Sequence, residues 1–383
     1  MISVIDKSNC TGCGACSNIC PQNCIQLRID NEGFKYPIIN QKMCINCNLC
    51  EKVCHEVSNS NIFNNFLMTY AYSNTDEIRM NSTSGGFFTK ISDFIIQNNG
   101  VIYGAAYDET FNVIHTRATT VKIRNKQRGS KYVQSNMDNI FISIENDLKN
   151  NKIVLFTGNP CQVSAVLSYL RLKRIDCKLL ITCDFICHGI TSPIIWKDYL
   201  SFIEKKYNDK ILSINFRNKD KGWHTPQLEI VMKEHIQKLT EKKDPYYNLF
   251  YSNCILRPSC HKCNYSKKER VSDFTMADCW GIEKSHPEFD DNMGLSFIMI
   301  NTPKAKKLFN IMKMDKDSID IDINDINQPH LNHAARESKK RDKFWEEYKN
   351  KGSVYVIKKY GNYTISRKII KKSKKIICKI IGR

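Results

Sequence analysis

The chain has no long apolar run and no leader-like pattern at its start. Nowhere in its 383 residues do about eighteen apolar residues follow one another, so we expect no transmembrane helix. The opening MISVIDKSNC lacks the basic and apolar regions of a signal peptide, so we expect none. There is also no nucleic-acid-binding motif, and we expect no nucleic-acid partner. With a mean hydropathy of −0.43, the sequence indicates a globular protein of the cytoplasm.

Negative charge is scarce, most of all at the C-terminal end. The formal net charge is +19, although residues 1–60 balance five Lys or Arg against five Asp or Glu. Residues 366–383 contain eight Lys or Arg and no acidic residue. Because a basic surplus attracts acidic lipid, phosphorylated substrates or acidic proteins, we expect a partner of one of these kinds.

Cysteine is abundant, and eight of the 18 cysteines fall in two similar runs. Each run has the spacing C-x2-C-x2-C-x3-C, and the second repeats the first after 34 residues. In a large chain without an expected leader, such cysteines are reduced and hold metal rather than form disulfides. In two-cluster ferredoxins the fourth cysteine of each run binds the other 4Fe–4S cube. The sequence therefore predicts one cube, cube I, on Cys10, Cys13, Cys16 and Cys54, and another, cube II, on Cys44, Cys47, Cys50 and Cys20.

Four details of these runs bear on the prediction. Two structural zinc sites are the alternative, but zinc usually takes two separated C-x2-C pairs. Gly12 and Gly14 allow the first loop to curl around a cube. Pro21 follows the first run whereas His55 follows the second, which weakens the prediction little because proline is not a ligand. Cys24 fits neither cube, and we expect it to be a buried free thiol.

The rest of the chain alternates between helix and strand patterns, which predicts an α+β, or mixed α/β, fold. Apolar residues at helical spacing predict a helix over 87–95, capped by Thr83 or Ser84 and ended by Gly100. Further helices are predicted around 140–148 and 163–170. Strands are predicted at 101–106, 113–118, 152–157 and 178–182.

A second group of cysteines lies in this part of the chain. Cys260 and Cys263 form a C-x2-C pair that needs two more ligands to bind metal. Cys161 and Cys187 each follow a predicted strand and can supply them; the rivals are Cys183, Cys254 and Cys279. Cys161 begins a predicted helix, so it can also be a nucleophile or a buried cap residue. The group is either a zinc knuckle or a third 4Fe–4S cube.

Several motifs occur in order: SGGFFTKI, RGSKYVQS, TGNPCQVSAVLSYL, CHGITSPIIW, FRNKDKGW, RPSCHKC, DFTMADCWGIE and GLSFIMINT. From about Ser84 to Thr302 this series resembles the coenzyme F-420 hydrogenase/dehydrogenase β-subunit family, with a ferredoxin module fused in front. The resemblance implies an FAD-containing iron–sulfur oxidoreductase with a mixed β-sheet and one 4Fe–4S cluster close to the flavin. Two residues depart from the family pattern: Asn159 replaces a threonine, and Cys279 replaces an aromatic or aliphatic residue and is not expected to be a ligand.

The resemblance also implies site residues by motif position. The flavin-pocket candidates are Ser84, Gly85, Gly86, Gly129, Ser130, Lys131, Tyr132, Gly158 and Asn159. The ligands implied for the third cube are Cys161, Cys187, Cys260 and Cys263. The glycine turns suit a flavin's phosphates, although each is equally consistent with a plain tight turn.

No catalytic residue is identified, but Lys131, His188 and His224 are candidates. Lys131 can hold a flavin phosphate or the electron-rich edge of the reduced ring, or be a solvated lysine. His188 can be a base or a hydrogen-bonded structural histidine. Trp223, His224 and Trp280 can line the substrate side, although such aromatics more often belong to the core.

We divide the chain into a two-cluster ferredoxin domain (1–62), two halves of the flavin and iron–sulfur body (63–160 and 161–335) and a basic helical tail (336–383). The first interpretation is a reductase that takes electrons from a low-potential donor protein such as ferredoxin. They pass through 4Fe–4S clusters and FAD to a small molecule or glycan precursor, because many similar fused chains belong to bacterial surface-glycan synthesis.

The alternative is an electron-input subunit that oxidises reduced coenzyme F-420 for a larger hydrogenase or dehydrogenase complex. A third interpretation is a basic or thiol-dependent binding protein whose clusters are structural. Flavin absorbance in the anaerobically purified chain separates the third from the other two. A homo-oligomer is left open by the sequence.

The basic tail generates a prediction about membranes. In residues 366–383 the isoleucines can share one helical face and the lysines the other, which suits peripheral contact with anionic lipid. A solvated helix, or one docked on a protein partner, is the alternative. We expect the full chain to float with anionic vesicles and a chain lacking 366–383 to stay behind. Equal flotation of the two would reject the lipid contact.

Overall fold

A computed structural model describes residues 2–4, 6–58, 61–314 and 317–363. The strands are β1 (Ile25–Ile29), β2 (Lys35–Ile39), β3 (Met68–Tyr72), β4 (Val101–Tyr107), β5 (Val113–Ala118), β6 (Val154–Thr157), β7 (Leu180–Phe185), β8 (Ile211–Asn218), β9 (Gln227–Met232), β10 (Ile236–Thr240), β11 (Phe274–Asp278), β12 (Ser296–Ile300) and β13 (Ser318–Asp320). The helices are α1 (Ala15–Asn18), α2 (Leu49–Val53), α3 (Asp76–Met80), α4 (Phe87–Gln97), α5 (Val121–Gln127), α6 (Ile140–Lys149), α7 (Pro160–Leu172), α8 (Pro193–Tyr207), α9 (Pro245–Tyr251), α10 (Pro303–Ile311), α11 (Arg341–Lys351) and α12 (Ser353–Tyr360).

The body is built on one mixed sheet of eight strands, in the order β13-β3-β12-β11-β7-β6-β4-β5. Strands β4, β6, β7 and β11 are parallel neighbours, whereas β5, β12, β3 and β13 pair antiparallel at the two sides. This confirms the predicted mixed α/β fold. Strands from both predicted halves of the body share this sheet.

Helices cover both faces of the sheet because its central strands are apolar on both sides. Along β6, Val154 and Phe156 pack in the core with α6 and α7, whereas Leu155 packs on the opposite face with α4 and α10. All four residues of β6 are buried. Parallel strands that are buried on both faces place their carboxyl ends at one common edge of the sheet.

The N-terminal module consists of α1, α2 and the β1–β2 hairpin, and it packs directly on the body. Its buried residues Cys16, Ile19 and Val53 belong to the same apolar core as Val163 and Tyr169 of α7. The Ser168 hydroxyl also donates a hydrogen bond of 2.8 Å to the Val53 carbonyl. Module and body therefore share one core.

A second layer of the body supports one side of the site and carries the candidate His224 between two of its strands. The antiparallel strands β8, β9 and β10 pack with α8, α9, α11 and α12 around an aromatic-rich core that includes Trp196, Tyr199 and Phe216. The predicted tail is only partly described, because residues 366–383 lie outside the described residues. Within the described part of the chain no helix is long and apolar enough to cross a membrane.

The predicted helix at 87–95 is confirmed, but its cap was predicted wrongly. Gly86, with a φ of 89°, precedes α4 and makes no side-chain cap bond, and Asn98 rather than Gly100 follows its last turn. The Thr83 hydroxyl instead accepts a hydrogen bond from the Ser130 backbone N–H at 2.9 Å. A contact between distant loops therefore replaces the local cap.

A buried ion pair fixes the segment after the C-x2-C pair to the sheet. Arg270 and Asp184 are both almost fully buried, with 3.0 Å between Nη2 and Oδ1. Arg270 Nη1 also donates hydrogen bonds to the carbonyls of Tyr265 and Lys267. Burial raises the pKa of Asp184, and Arg270 opposes this rise.

We expect Arg270→Leu to lower the free energy of unfolding by about 3 kcal/mol, because it leaves Asp184 buried without its cation. Lys178→Leu is the control, since Lys178 and its partner Asp176 are 86% and 66% exposed. The control should cost less than about 1 kcal/mol. Denaturant unfolding of both anaerobic proteins measures the difference, and equal losses would contradict the assigned role of the buried pair.

Candidate functional site

The structure brings together the four thiols predicted for cube I. Cys10, Cys13 and Cys16 belong to the first loop and α1, and Cys54 follows α2 directly. Each thiol is close enough to the other three to repel its charge. Burial, followed by this repulsion, raises the pKa of Cys16 well above its usual range. The arrangement fits a metal cluster, which holds such thiols as thiolates.

The thiols predicted for cube II line a single cavity. It measures about 360 Å³, including its opening to solvent, and all four of Cys20, Cys44, Cys47 and Cys50 contribute to its wall. Cys47 is exposed. Cys24 lies in the same wall and is buried, as expected, with its sulfur 3.4 Å from that of Cys20. Cube II would therefore lie nearer to solvent than cube I.

The four cysteines predicted for the third cube also come together, and the sheet explains why. Cys161 begins α7 after β6, and Cys187 follows β7, so both lie at the carboxyl edge of neighbouring parallel strands. Cys260 lies at the same edge, where its sulfur accepts a hydrogen bond from the Ile190 backbone N–H at 3.4 Å. Each of the four thiols repels the other three, and burial with this repulsion raises the pKa of Cys161.

The three rival cysteines lie apart from this group. Cys183 is buried and its thiol donates to the Asp184 carbonyl. The Cys254 thiol donates to the Ser338 hydroxyl, and Cys279 is buried in another apolar cluster. Across the part of the chain that the structure describes, no three Cys, His, Asp or Glu side chains are placed to hold a single metal ion.

Cube I and the body group are neighbours. The thiols of Cys13 and Cys161 are close enough to repel each other. Arg257, which lies three residues before Cys260, is fully buried and donates hydrogen bonds to the Cys10 and Lys35 carbonyls. Gly12 is required at this contact, because a Cβ there would stand 2.6 Å from the Arg257 guanidinium.

Two of the predicted flavin-binding stretches meet in space. The turn containing Ser84, Gly85 and Gly86 contacts the Gly129–Ser130 turn through the bond from Ser130 to Thr83. Gly129 has a φ of 81° and no atom within 4 Å of the place where a Cβ would stand. Gly85 is different, because a Cβ there would stand 2.2 Å from the Tyr72 carbonyl oxygen. Gly129 therefore faces open space, whereas Gly85 is needed for packing.

The third predicted flavin-binding stretch, Gly158–Asn159, makes contacts within the protein itself. Asn159 caps α7, and its backbone N–H donates to the Gln162 side chain at 3.0 Å in a capping box. Gly158 packs against Phe156, with a Cβ position only 3.1 Å from its ring. This turn holds the start of α7, and with it Cys161, in place.

Two of the candidate catalytic residues are engaged in internal bonds. The Lys131 ammonium donates to the carbonyls of Gln127, Arg128 and Gly129, and burial lowers the pKa of Lys131 to about 7. Burial also lowers the pKa of His188 to about 4, so it is neutral at pH 7. A neutral His188 donates from Nε2 to the Asn253 oxygen at 2.7 Å and accepts at Nδ1 from His330.

His224 is the most accessible of the three candidates. Its side chain is 36% exposed, and its Nε2 lies 2.7 Å from an oxygen of Asp290. Trp280 lies beside it and stacks on the fully buried Trp223, with ring centres 4.0 Å apart. Trp223 is thus a core residue, whereas His224 and Trp280 lie at the surface side of the stack.

Sequence reasoning missed two buried cations in the motif FRNKDKGW. Arg217 lies over Trp280, and its buried Nε has no hydrogen-bond partner among the described residues. Its Nη1 donates to the Tyr132 hydroxyl at 3.5 Å. Lys219 donates to the Ser84 carbonyl at 2.9 Å, and burial lowers its pKa to about 7. The sequence marks these two residues only by their charge within this motif, and a charge that becomes buried requires a partner.

In comparisons with known proteins, each of the two cysteine-rich regions matches a protein family. Residues 151–328 match the family described as the C terminus of the beta subunit of coenzyme F420 hydrogenase/dehydrogenase. Residues 9–56 match the 4Fe-4S dicluster domain. A chain of the F420-reducing NiFe hydrogenase complex from Methanosarcina barkeri is similar in structure, at 16% identity and a TM-score of 0.48, over 82% of this chain and 92% of that chain. No curated protein matches.

The ligand set can be tested by iron analysis. Three cubes require about twelve irons per chain, so Cys187→Ala should leave about eight after anaerobic purification. Cys183→Ala is the matched control, since Cys183 is also buried near the end of β7 but contacts no cysteine of the group. Unchanged iron in Cys187→Ala, or equal loss in both variants, would reject this ligand set.

Proposed function

We propose that this chain is an iron–sulfur flavoprotein oxidoreductase, since it joins a 4Fe–4S dicluster domain to the C-terminal domain of the F420 hydrogenase/dehydrogenase β-subunit family. It takes electrons from a low-potential donor protein such as ferredoxin. Three 4Fe–4S cubes and FAD connect that donor to an organic substrate. The observation that carries the proposal is that Cys13 of cube I and Cys161 of the body group pack against one apolar core, close enough to repel each other's charge.

The residues present fit a flavin in part. The open face of Gly129 and the adjoining Ser84–Gly86 turn support a site for a flavin. The buried Nε of Arg217 has a hydrogen bond to give, although the charge of Arg217 is already paired with Asp278 at 3.3 Å. Tyr132 lies between Arg217 and Phe250, and Phe250 packs on His188, the residue after Cys187. A flavin stores electrons that arrive singly and releases them as a pair, which most organic reductions need. Lys219 and Lys131 would orient the turns around it through their carbonyl bonds.

The proposed substrate is a glycan precursor. The resemblance to fused chains of surface-glycan synthesis supports a glycan precursor. The surface residues His224 and Trp280 offer a polar group and an aromatic ring for such a molecule. In this arrangement the substrate would lie on the far side of Arg217 from Tyr132.

A second candidate function is favoured by the family description. The C-terminal domain match extends over residues 151–328 and carries the name of coenzyme F420 enzymes. In this alternative the chain oxidises the reduced deazaflavin coenzyme and passes electrons to a larger complex. Anaerobic mixing with the reduced coenzyme separates the two: rapid appearance of oxidised coenzyme supports the alternative, and no reaction supports the reductase.

Electron entry through the front module can be tested with point variants. Deleting residues 1–60 would expose the core that the module shares with α7, so Cys10→Ala is the cleaner change. In stopped-flow experiments we expect reduced ferredoxin to bleach the flavin absorbance of the unmodified chain quickly and that of Cys10→Ala slowly. Dithionite should bleach both, which controls for flavin content. Equal rates with ferredoxin would show that electrons enter elsewhere.

A further inference from the structure

Arg257 is a buried cation without a described carboxylate as its partner. It is fully buried, and its hydrogen-bond acceptors are the carbonyls of Cys10 and Lys35, the Gln134 side chain and the Cys10 sulfur. Its Nη2 lies 3.7 Å from the sulfur, and the guanidinium stacks over Tyr36 at 4.3 Å. A buried charge is costly unless an opposite charge compensates it. A cube held by four thiolates carries net negative charge and supplies that compensation.

His55 forms a second contact with cube I. It is almost fully buried, with its Nε2 3.4 Å from the Thr11 hydroxyl and its Nδ1 2.6 Å from the Tyr265 hydroxyl and 3.2 Å from an oxygen of Glu56. The same ring is placed to donate to the Cys13 sulfur, which lowers the pKa of Cys13. The neighbouring Glu56 accepts a hydrogen bond of 2.9 Å from the Asn264 side chain. Two residues that follow Cys54 thus bind two residues that follow Cys263. This pairing fixes cube I against the body group.

We propose that cube I is the exit of the ferredoxin module, and that the donors Arg257 and His55 raise its reduction potential above that of cube II. The proposal rests on the cluster part of the proposed function. Hydrogen bonds to cluster sulfurs are among the factors that set the potential of an iron–sulfur centre. Reduction adds one negative charge to the cube, and a donor to its thiolates stabilises that charge.

The redox step balances as a single electron transfer. The low-potential donor protein reduces the module, one electron leaves cube I, and one arrives at the body cluster. No bond forms or breaks. A higher potential at cube I collects electrons at the cube that adjoins Cys161, whereas the exposed Cys47 of cube II faces solvent, where a donor protein can approach.

The thiols of cube II have weaker hydrogen-bond donors around them than those of cube I, which the proposed order of potentials requires. Among the described residues, its thiols receive no hydrogen bond from a cationic side chain. Cys50 accepts from the Ile2 backbone N–H at 3.4 Å, and the Cys44 thiol faces the Asn46 side-chain oxygen at 3.8 Å. Backbone N–H groups also donate to the Cys20 sulfur. These neutral donors stabilise the reduced cube less than a guanidinium and an imidazole do, since charged donors make the stronger bonds.

The test is a redox titration followed by electron paramagnetic resonance on the anaerobic full chain. In His55→Leu we expect one cluster to lose about tenfold in electron affinity, a shift of about 59 mV to lower potential, while the other two stay unchanged. His55→Gln keeps an N–H donor and should restore most of the potential. Arg257→Lys, which keeps the charge but loses the fork, should shift the same cluster in the same direction.

The Cys187→Ala chain, which should lack the body cluster, tests which of the two cubes lies next to that cluster. If cube I is the exit, the signal that shifts in His55→Leu loses its magnetic broadening when the body cluster is absent. Narrowing of another signal would make cube II the exit and overturn the proposal. Unchanged potentials in His55→Leu, an equal shift of all clusters, or a failure of His55→Gln to restore the potential would also overturn it. Fewer than three clusters in the unmodified chain would instead reject the proposed function.

Discussion

The buried guanidinium of Arg257 joins the two cysteine-rich parts of the chain. It belongs to the motif RPSCHKC of the body, yet its hydrogen bonds reach Cys10 and Lys35 of the N-terminal module. Its position requires Gly12, and its charge requires an anion nearby. This one side chain bonds the first cysteine loop and the β1–β2 hairpin to the segment that carries the C-x2-C pair.

The shared core has a consequence for electron flow. A ferredoxin tethered by a flexible linker would meet its acceptor only part of the time, whereas here Val53 and Ser168 keep α2 against α7. Because α7 begins with the Cys161 segment, the same helix that supports the module also carries a candidate ligand of the body cluster. Contact between the module and the body is therefore part of the fold.

Much of this arrangement was predictable because it depends on local sequence. The spacing of Cys10 and the cysteines that follow indicates the cubes, and the periodicity of 87–95 indicates α4. The cap of α4 was not predictable, since Thr83 is engaged by Ser130, which lies 47 residues away. Arg217 was missed for a similar reason: its neighbours Tyr132 and Trp280 come from two distant segments. Long-range contacts of this kind leave no periodic signal in the sequence.

The central claim is that electrons enter at the cubes and leave at the flavin. Freeze-quench spectroscopy of the unmodified chain, mixed anaerobically with less than one equivalent of reduced ferredoxin, tests it most directly. The account predicts that the signal of reduced iron–sulfur clusters rises first and then falls as the flavin absorbance bleaches. Bleaching of the flavin without delay, while the clusters stay oxidised, would contradict it.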